Sequence, residues 1–208
     1  MKPRVYEQHF RQNRLPHLWC PGCGNGIVMK AIVEAIVKKN LDPDKTVIVS
    51  GIGCSSRASG YMDFDTLHTA HGRAIPFATG IKLARPELNV IVITGDGDCM
   101  AIGGNHFIHG ARRNVDLTVV LFNNNIYGMT GGQMAPTTLI GQKTVTCPYG
   151  RDPKIHGWNL NITELASHLK GTRYVTRQSV DTVASIRQAK KAIRKAFEAN
   201  MADRKSVV

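Results

Sequence analysis

Acidic residues are scarce in this sequence: 15 Asp and Glu face 27 Lys and Arg, leaving a formal charge of +12 over 208 residues. Such a balance invites a nucleic-acid reading. Aromatic residues are scarce as well, at 6%, and they do not interleave with the basic ones, which weakens that reading. Long apolar runs are missing: no stretch reaches the roughly 18 residues of a membrane-spanning helix. The basic N-terminus, residues 1–19, lacks the apolar core of a secretory signal. Cysteine is limited to five residues, an odd number that disfavours a disulfide framework. A cytoplasmic protein is therefore expected, with metal or redox chemistry for the close pair Cys20 and Cys23. Internal repeats and low-complexity segments are absent too.

What is present is a well-patterned globular chain. Hydrophobic residues make up 42% and charged ones 20%, which excludes intrinsic disorder. Residues 46–50 (TVIVS), 89–94 (NVIVIT) and 117–122 (LTVVLF) are nearly continuous Val, Ile and Leu, the pattern of strands covered on both faces. Ile27, Ala31, Ile32, Ala35 and Ile36 mark one helix face by their spacing. Further helices are expected over 75–83 and 100–111. Alternating strands and helices predict an α/β fold, a doubly wound and mostly parallel sheet.

A helix over 162–169, a short strand over 173–176 and a long basic helix from residue 180 to 197–199 follow. The last carries an apolar stripe of Ile186, Ala189, Ile193, Ala196 and Phe197, so its Lys and Arg read as a solvated face. The closing KSVV looks like the start of another strand. The expected organisation is a single domain over 1–208 with a cysteine-bearing segment at 1–25.

The chemistry begins where the second apolar run ends, at Gly95-Asp96-Gly97-Asp98. Glycines at the C-terminal end of a strand let backbone approach a diphosphate closely, and the next helix offers it free N–H groups. Asp96 is then placed to hold a divalent cation. Alone this is an ordinary turn, but the third apolar run leads into Asn123-Asn124-Asn125-Ile126-Tyr127-Gly128-Met129-Thr130-Gly131-Gly132-Gln133. Asp96 and Asn124 lie one helix plus one strand apart, so both can reach one ion. A carboxylate, an amide oxygen and a backbone carbonyl suit Mg²⁺, which favours oxygen ligands.

This spacing resembles the thiamine diphosphate (ThDP) motif. Trp19-Cys20-Pro21-Gly22-Cys23-Gly24, Gly51-Ile52-Gly53-Cys54-Ser55-Ser56-Arg57 and His71-Gly72-Arg73-Ala74 precede it in order. Together these motifs resemble, over roughly residues 10–170, the β subunits of 2-oxoacid:ferredoxin oxidoreductases, most of all the 2-oxoglutarate type. The resemblance implies a ThDP-binding fold with Mg²⁺ on Asp96, Asn124 and the Ile126 carbonyl. Gly97, Asp98, Gly128 and Met129 would meet the diphosphate. Ile52, Gly53, Cys54, Ser55, His71, Gly72 and Arg73 would line the thiamine and substrate region.

Arg57 is a candidate partner for a substrate carboxylate, since a guanidinium offers a bidentate fork. The implied reaction is CoA-dependent oxidative decarboxylation of a 2-oxoacid, with electrons passing to ferredoxin. Pyruvate and branched-chain 2-oxoacids stay open as substrates. No Glu is marked for activating ThDP, which implies a separate α subunit and inactivity of the chain alone.

WCPGC looks superficially like a redox dithiol, but the preceding RQNRLPHL is no strand, and a zinc site would need a second close pair. The resemblance makes Cys20, Cys23 and Cys54 ligands of a [4Fe–4S] cluster, which normally takes four cysteines. Cys99 and Cys147 do not match the fourth position, which family members carry beyond the last long helix. A chain shorter than its family is the favoured explanation, against a substitute ligand or no cluster. Cys99 is expected to pack as a small apolar residue. Two rival functions are carried: a non-redox ThDP decarboxylase or synthase, which has no use for CPGC and Cys54, and a nucleic-acid-binding module supported by charge alone.

Overall fold

The structure, a computed structural model, describes residues 5–201 and 205–207. Eight strands and seven α-helices are defined among them: α1 (Asn25–Lys38), β1 (Thr46–Ser50), α2 (Ala58–Tyr61), β2 (Asp65–His68), α3 (Ala74–Ala84), β3 (Asn89–Gly95), α4 (Gly104–Arg112), β4 (Thr118–Phe122), β5 (Ile126–Tyr127), β6 (Gln133–Met134), α5 (Pro153–His156), α6 (Ile162–Ser167), β7 (Thr172–Val175), α7 (Val183–Met201) and β8 (Lys205–Val207). Six strands form a parallel sheet in the order β2-β1-β3-β4-β8-β7, and β5 and β6 form an antiparallel hairpin. The expected α/β architecture is present.

The apolar runs pair as their composition requires. In β1, β3 and β4, Ile48, Ile91, Ile93, Val120 and Phe122 join one buried cluster with α1, α2 and α7. Their neighbours Val49, Val90, Val92 and Val119 join the other, with α3, α4 and α6. Alternate side chains thus leave opposite faces of the sheet, and each fully buried Ile or Val is worth about 1.5–3 kcal/mol relative to exposure. Among the described residues no helix is long and apolar enough to cross a membrane.

The basic helix is mostly absorbed by the protein. Ala189, Ala192, Ile193, Ala196 and Phe197 are buried, Ile186 is half-buried, and Lys190 pairs with Glu34 of α1 at 2.7 Å. The helix starts at Val183 rather than 180 because Thr182 caps it: its Oγ1 accepts from the Ser185 N–H at 3.1 Å,.

Other boundaries moved for local reasons. The helix expected over 100–111 is a π-helical turn, Asp98–Ile102, followed by α4. At Gly103 the N–H donates back to the Asp98 carbonyl at 3.1 Å. A Cβ there would stand 2.7 Å from that same oxygen. Strand β2, unforeseen, is a polar edge strand. The expected terminal strand exists and inserts between β4 and β7.

The order reverses around β1 and β3, and the loops after β1, β2, β3 and β4 gather along the C-terminal edge of the sheet, where open α/β folds bind ligands.

Candidate functional site

The loops at this edge are tied together by Asp98, which is 3% exposed. Its Oδ1 accepts from the Ile52 N–H (3.1 Å), the Gly72 N–H (2.7 Å) and His71 Nδ1 (2.6 Å). Its Oδ2 accepts from Thr94 Oγ1 at 2.6 Å. One carboxylate thereby fixes the loop after β1, the loop after β2 and the end of β3, and it sets the His71 tautomer with the proton on Nδ1. A Cβ on Gly51 would strike this carboxylate, so glycine is required there. Asp98 was expected to meet a diphosphate; its side chain accepts from these four donors. Asp98→Ala would strand a buried amide, a part-buried amide and a hydroxyl at about 1–3 kcal/mol each,. Even at the lower end, about 3 kcal/mol in total, it should lower the thermal midpoint by roughly 6–12 °C, read by calorimetry; a shift under about 2 °C would contradict this keystone role.

Asp96 behaves differently. It is 2% exposed, and its Oδ2 accepts from Thr137 Oγ1. Among the described residues it has no ion pair, and burial pushes its carboxyl above the usual range, with the Thr137 hydrogen bond opposing. A buried anion without a cation is costly, so a metal ion directly on it fits the donor set. Asn124 stands beside it, with Oδ1 accepting from the Ile126 N–H at 3.3 Å. Asn125 sits in the left-handed region at φ 61 and completes the turn. Gly97 packs under the Tyr127 ring, where a Cβ would collide; the ring bears edge-on toward His71, 6.2 Å between centroids.

These groups surround a cavity of about 90 Å³ lined by Ile52, Gly53, Cys54, Ser55, His71, Gly95, Asp96, Gly97, Asp98, Asn124, Ile126, Gly128 and Met129, together with Asn25, Phe122, Tyr127 and Thr130. Thirteen of the residues singled out in the sequence therefore converge. Five do not line it: Cys20, Cys23, Gly72, Arg73 and Arg57. Gly72 contributes its N–H to Asp98. Arg73 reaches the Gly72 and Ile102 carbonyls at 3.5 and 3.4 Å, drawn to the carbonyl end of the π-helical turn. Arg57 lies on the far side of the 3-10 turn Ser55–Arg57, in a recess of about 540 Å³ shared with Arg11, Arg14 and His68. Thr94, Thr137 and Tyr127 were missed; only Tyr127 lies within a quoted motif.

Cys20 and Cys23 are exposed and Cys54 is half-buried. Trp19 Nε1 donates to the Cys54 carbonyl at 2.7 Å, joining the two segments. Burial first, then the charges of Cys20 and Cys23, raise the Cys54 thiol, so the three sense one another. Among the described residues, however, no three His, Cys, Asp or Glu side chains stand at metal-ligand spacing. Cys99 is buried among apolar residues, as expected, and burial raises its thiol far above the ordinary value.

The family "Thiamine pyrophosphate enzyme, C-terminal TPP binding domain" matches residues 51–208. The 2-oxoglutarate synthase subunit KorB of Methanocaldococcus jannaschii is 53% identical over 189 residues, which is 90% of this chain and 68% of that protein. The chain belongs to the family of KorB and related 2-oxoacid:ferredoxin oxidoreductase β subunits. The ketoisovalerate oxidoreductase subunit VorA of Methanothermobacter marburgensis is 44% identical over 86% of this chain and 37% of its own length.

A solved structure, the 2-oxoglutarate:ferredoxin oxidoreductase of Magnetococcus marinus with 2-oxoglutarate, coenzyme A and succinyl-CoA bound, superposes with a TM-score of 0.83. It is 32% identical, and the match covers all of this chain and 67% of that one. The chain spans from 58% to 68% of the length of the KorB relatives and 67% of the solved chain. Its ThDP-family match begins at Gly51, the residue packed against Asp98, and includes Asp96 and Asn124.

Proposed function

We propose that this chain is the cofactor-binding β subunit of a 2-oxoacid:ferredoxin oxidoreductase acting on 2-oxoglutarate. The reaction converts 2-oxoglutarate, CoA and two oxidised ferredoxins to succinyl-CoA, CO₂, two reduced ferredoxins and one proton. The observation that carries this reading is the buried carboxylate of Asp96, which has no ion pair among the described residues, lining one cavity with Asn124, Gly97, Gly128 and Cys54. Asp96, the Asn124 amide oxygen and the Ile126 carbonyl would hold Mg²⁺, and the backbone around Gly97, Gly128 and Met129 would take a diphosphate. When bound, ThDP supplies the carbanion chemistry that decarboxylation requires.

The rest of the site is read as shared. A cavity of about 90 Å³ is well below the roughly 300 Å³ of an ordinary ligand pocket. No Glu lines it, so an α subunit would complete the pocket and supply the acid that activates the cofactor. Within this half, Asp98 holds His71 in one tautomer, and Tyr127 and Phe122 exclude water beside Asp96. Cys20, Cys23 and Cys54 have the donor chemistry for three ligands of a [4Fe–4S] cluster, with the fourth outside this chain; such a cluster supplies one-electron transfer toward ferredoxin. Cysteines kept reduced in this way accord with the cytoplasm.

The 53% identity to the KorB of Methanocaldococcus jannaschii against 44% to VorA favours 2-oxoglutarate over a branched-chain acid. Arg57 is exposed on the turn whose first residue, Ser55, lines the cavity, and its side chain is unpaired among the described residues. We assign it the distal carboxylate. The complex, co-produced with its partner and kept anaerobic, should reduce a low-potential acceptor with CoA fastest on 2-oxoglutarate. Arg57→Ala should raise KM for 2-oxoglutarate about tenfold or more while leaving pyruvate unchanged, the cost of losing a bidentate ion pair. An equal change for every 2-oxoacid would refute the selective role.

A further inference from the structure

The loop from Ala135 to Trp158 carries a buried charge that the proposed reaction does not use. Arg151 is 6% exposed, and its guanidinium has no carboxylate partner among the described residues. It donates instead to six backbone carbonyls. Nε reaches Gly157 at 2.9 Å, and Nη1 reaches Ala135 (3.2 Å), Pro136 (2.9 Å) and Thr138 (2.9 Å). Nη2 reaches His156 (3.4 Å) and Trp158 (2.7 Å). Three of these acceptors lie in one short stretch, Ala135-Pro136-Thr137-Thr138, so the fork clamps that stretch from behind.

The front of the same stretch faces the Asp96 site. Thr137 is 2% exposed and Thr138 fully buried. Thr137 Oγ1 donates to Asp96 Oδ2. Thr138 Oγ1 accepts from the Ala135 N–H at 2.9 Å and donates to the Asn125 carbonyl at 2.5 Å. Adjacent threonines therefore grip the two elements expected to ligate one ion: the carboxylate after β3 and the Asn123–Asn125 turn after β4. With Oδ2 taken by Thr137, Oδ1 is the oxygen left without a side-chain donor. A lysine cannot replace Arg151, because three donors on one nitrogen cannot span carbonyls arranged around a planar fork.

We infer that Arg151 and Thr137 are positioning residues for the metal–diphosphate site, Arg151 fixing the 135–138 stretch and Thr137 fixing the rotamer of Asp96. The inference rests on the reading of Asp96 as a metal ligand. Partners that orient a ligating side chain typically govern metal affinity by about 10–100-fold, so Thr137→Val, which keeps the shape and removes the donor, should weaken binding by that factor.

The test uses the assembled complex, stripped of metal and titrated with Mn²⁺ in the presence of ThDP, following free Mn²⁺ by EPR. Thr137→Val should raise the Mn²⁺ dissociation constant about 10–100-fold, Thr137→Ser should restore it to near wild type, and Arg151→Lys should weaken it if the protein folds. The metal-free thermal midpoints of the two Thr137 variants should agree, separating a metal effect from a folding effect. Wild-type affinity in Thr137→Val, or equal weakening in Thr137→Val and Thr137→Ser, overturns the inference alone. Failure of the wild-type complex to bind Mn²⁺ with ThDP overturns the metal reading of Asp96 along with it.

Discussion

Asp96→Asn in the assembled enzyme is expected to weaken Mg²⁺-dependent ThDP binding by about 100-fold or more, since even partners that merely orient a ligand are worth about 10–100-fold. The substitution keeps the shape of the side chain and its contact with Thr137. What it removes is the negative charge, in a place where no side-chain cation among the described residues compensates it and burial already disfavours the ionised form. Relieving that burden should leave the ligand-free protein as stable as wild type or more so. Loss of affinity together with an unchanged or higher metal-free melting temperature is thus the signature of a functional, not structural, carboxylate. Calorimetric titration with ThDP and Mg²⁺ beside a thermal melt reads both. Near-wild-type affinity would remove Asp96 from the metal site.

Cys23→Ala should separate electron transfer from cofactor binding. Cys23 is exposed and does not line the cavity around Asp96, so its loss should disturb neither the core nor the diphosphate end. Iron content should fall and ferredoxin reduction should drop by roughly 100-fold or more, because a cluster lacking a thiolate ligand is not retained. ThDP affinity should stay within about threefold, or roughly 0.7 kcal/mol. Cys54→Ala is the less selective variant, since Cys54 lines the same cavity as Asp96. Unchanged iron and unchanged ferredoxin reduction in Cys23→Ala would leave the CPGC segment without a cluster role.

How far the sequence reached depended on whether a feature had a local signature. The three buried strands announced themselves by uninterrupted Val and Ile, and the glycine–acid turns after β3 and β4 by residue types that tolerate close backbone approach. Strand β2 carried no such signature: Asp65-Thr66-Leu67-His68 is short, polar and at the sheet edge, where pairing with β1 alone stabilises it. The position of β8 between β4 and β7 is set by non-local pairing, and nothing in its three residues names their neighbours.

The supports of the site were equally silent. Arg151 reads as one more basic residue because its partners are carbonyls, which every residue carries. Thr94 and Thr137 matter through single hydroxyls whose acceptors, Asp98 and Asp96, are near in sequence in one case and 41 residues away in the other. The difference between the two aspartates follows the same logic. Both stand at the end of β3 within one motif, and only the three-dimensional placement of donors makes Asp98 the tie between loops and leaves Asp96 with Thr137 as its side-chain donor. Arg73 was drawn into the pocket by proximity along the chain, whereas its guanidinium turns to the Gly72 and Ile102 carbonyls; Arg57 opens onto a neighbouring recess from a turn whose first residue, Ser55, lines the cavity.

That this chain would furnish one half of a ThDP site coupled to an electron outlet is tested by the product and electron balance of the anaerobic complex supplied with 2-oxoglutarate, CoA, ThDP and Mg²⁺. One succinyl-CoA and one CO₂ are expected for every two electrons delivered to ferredoxin, with no turnover when CoA or the partner subunit is left out. Release of CO₂ with a non-acyl product and no electrons delivered would contradict it and make the protein a non-redox ThDP enzyme.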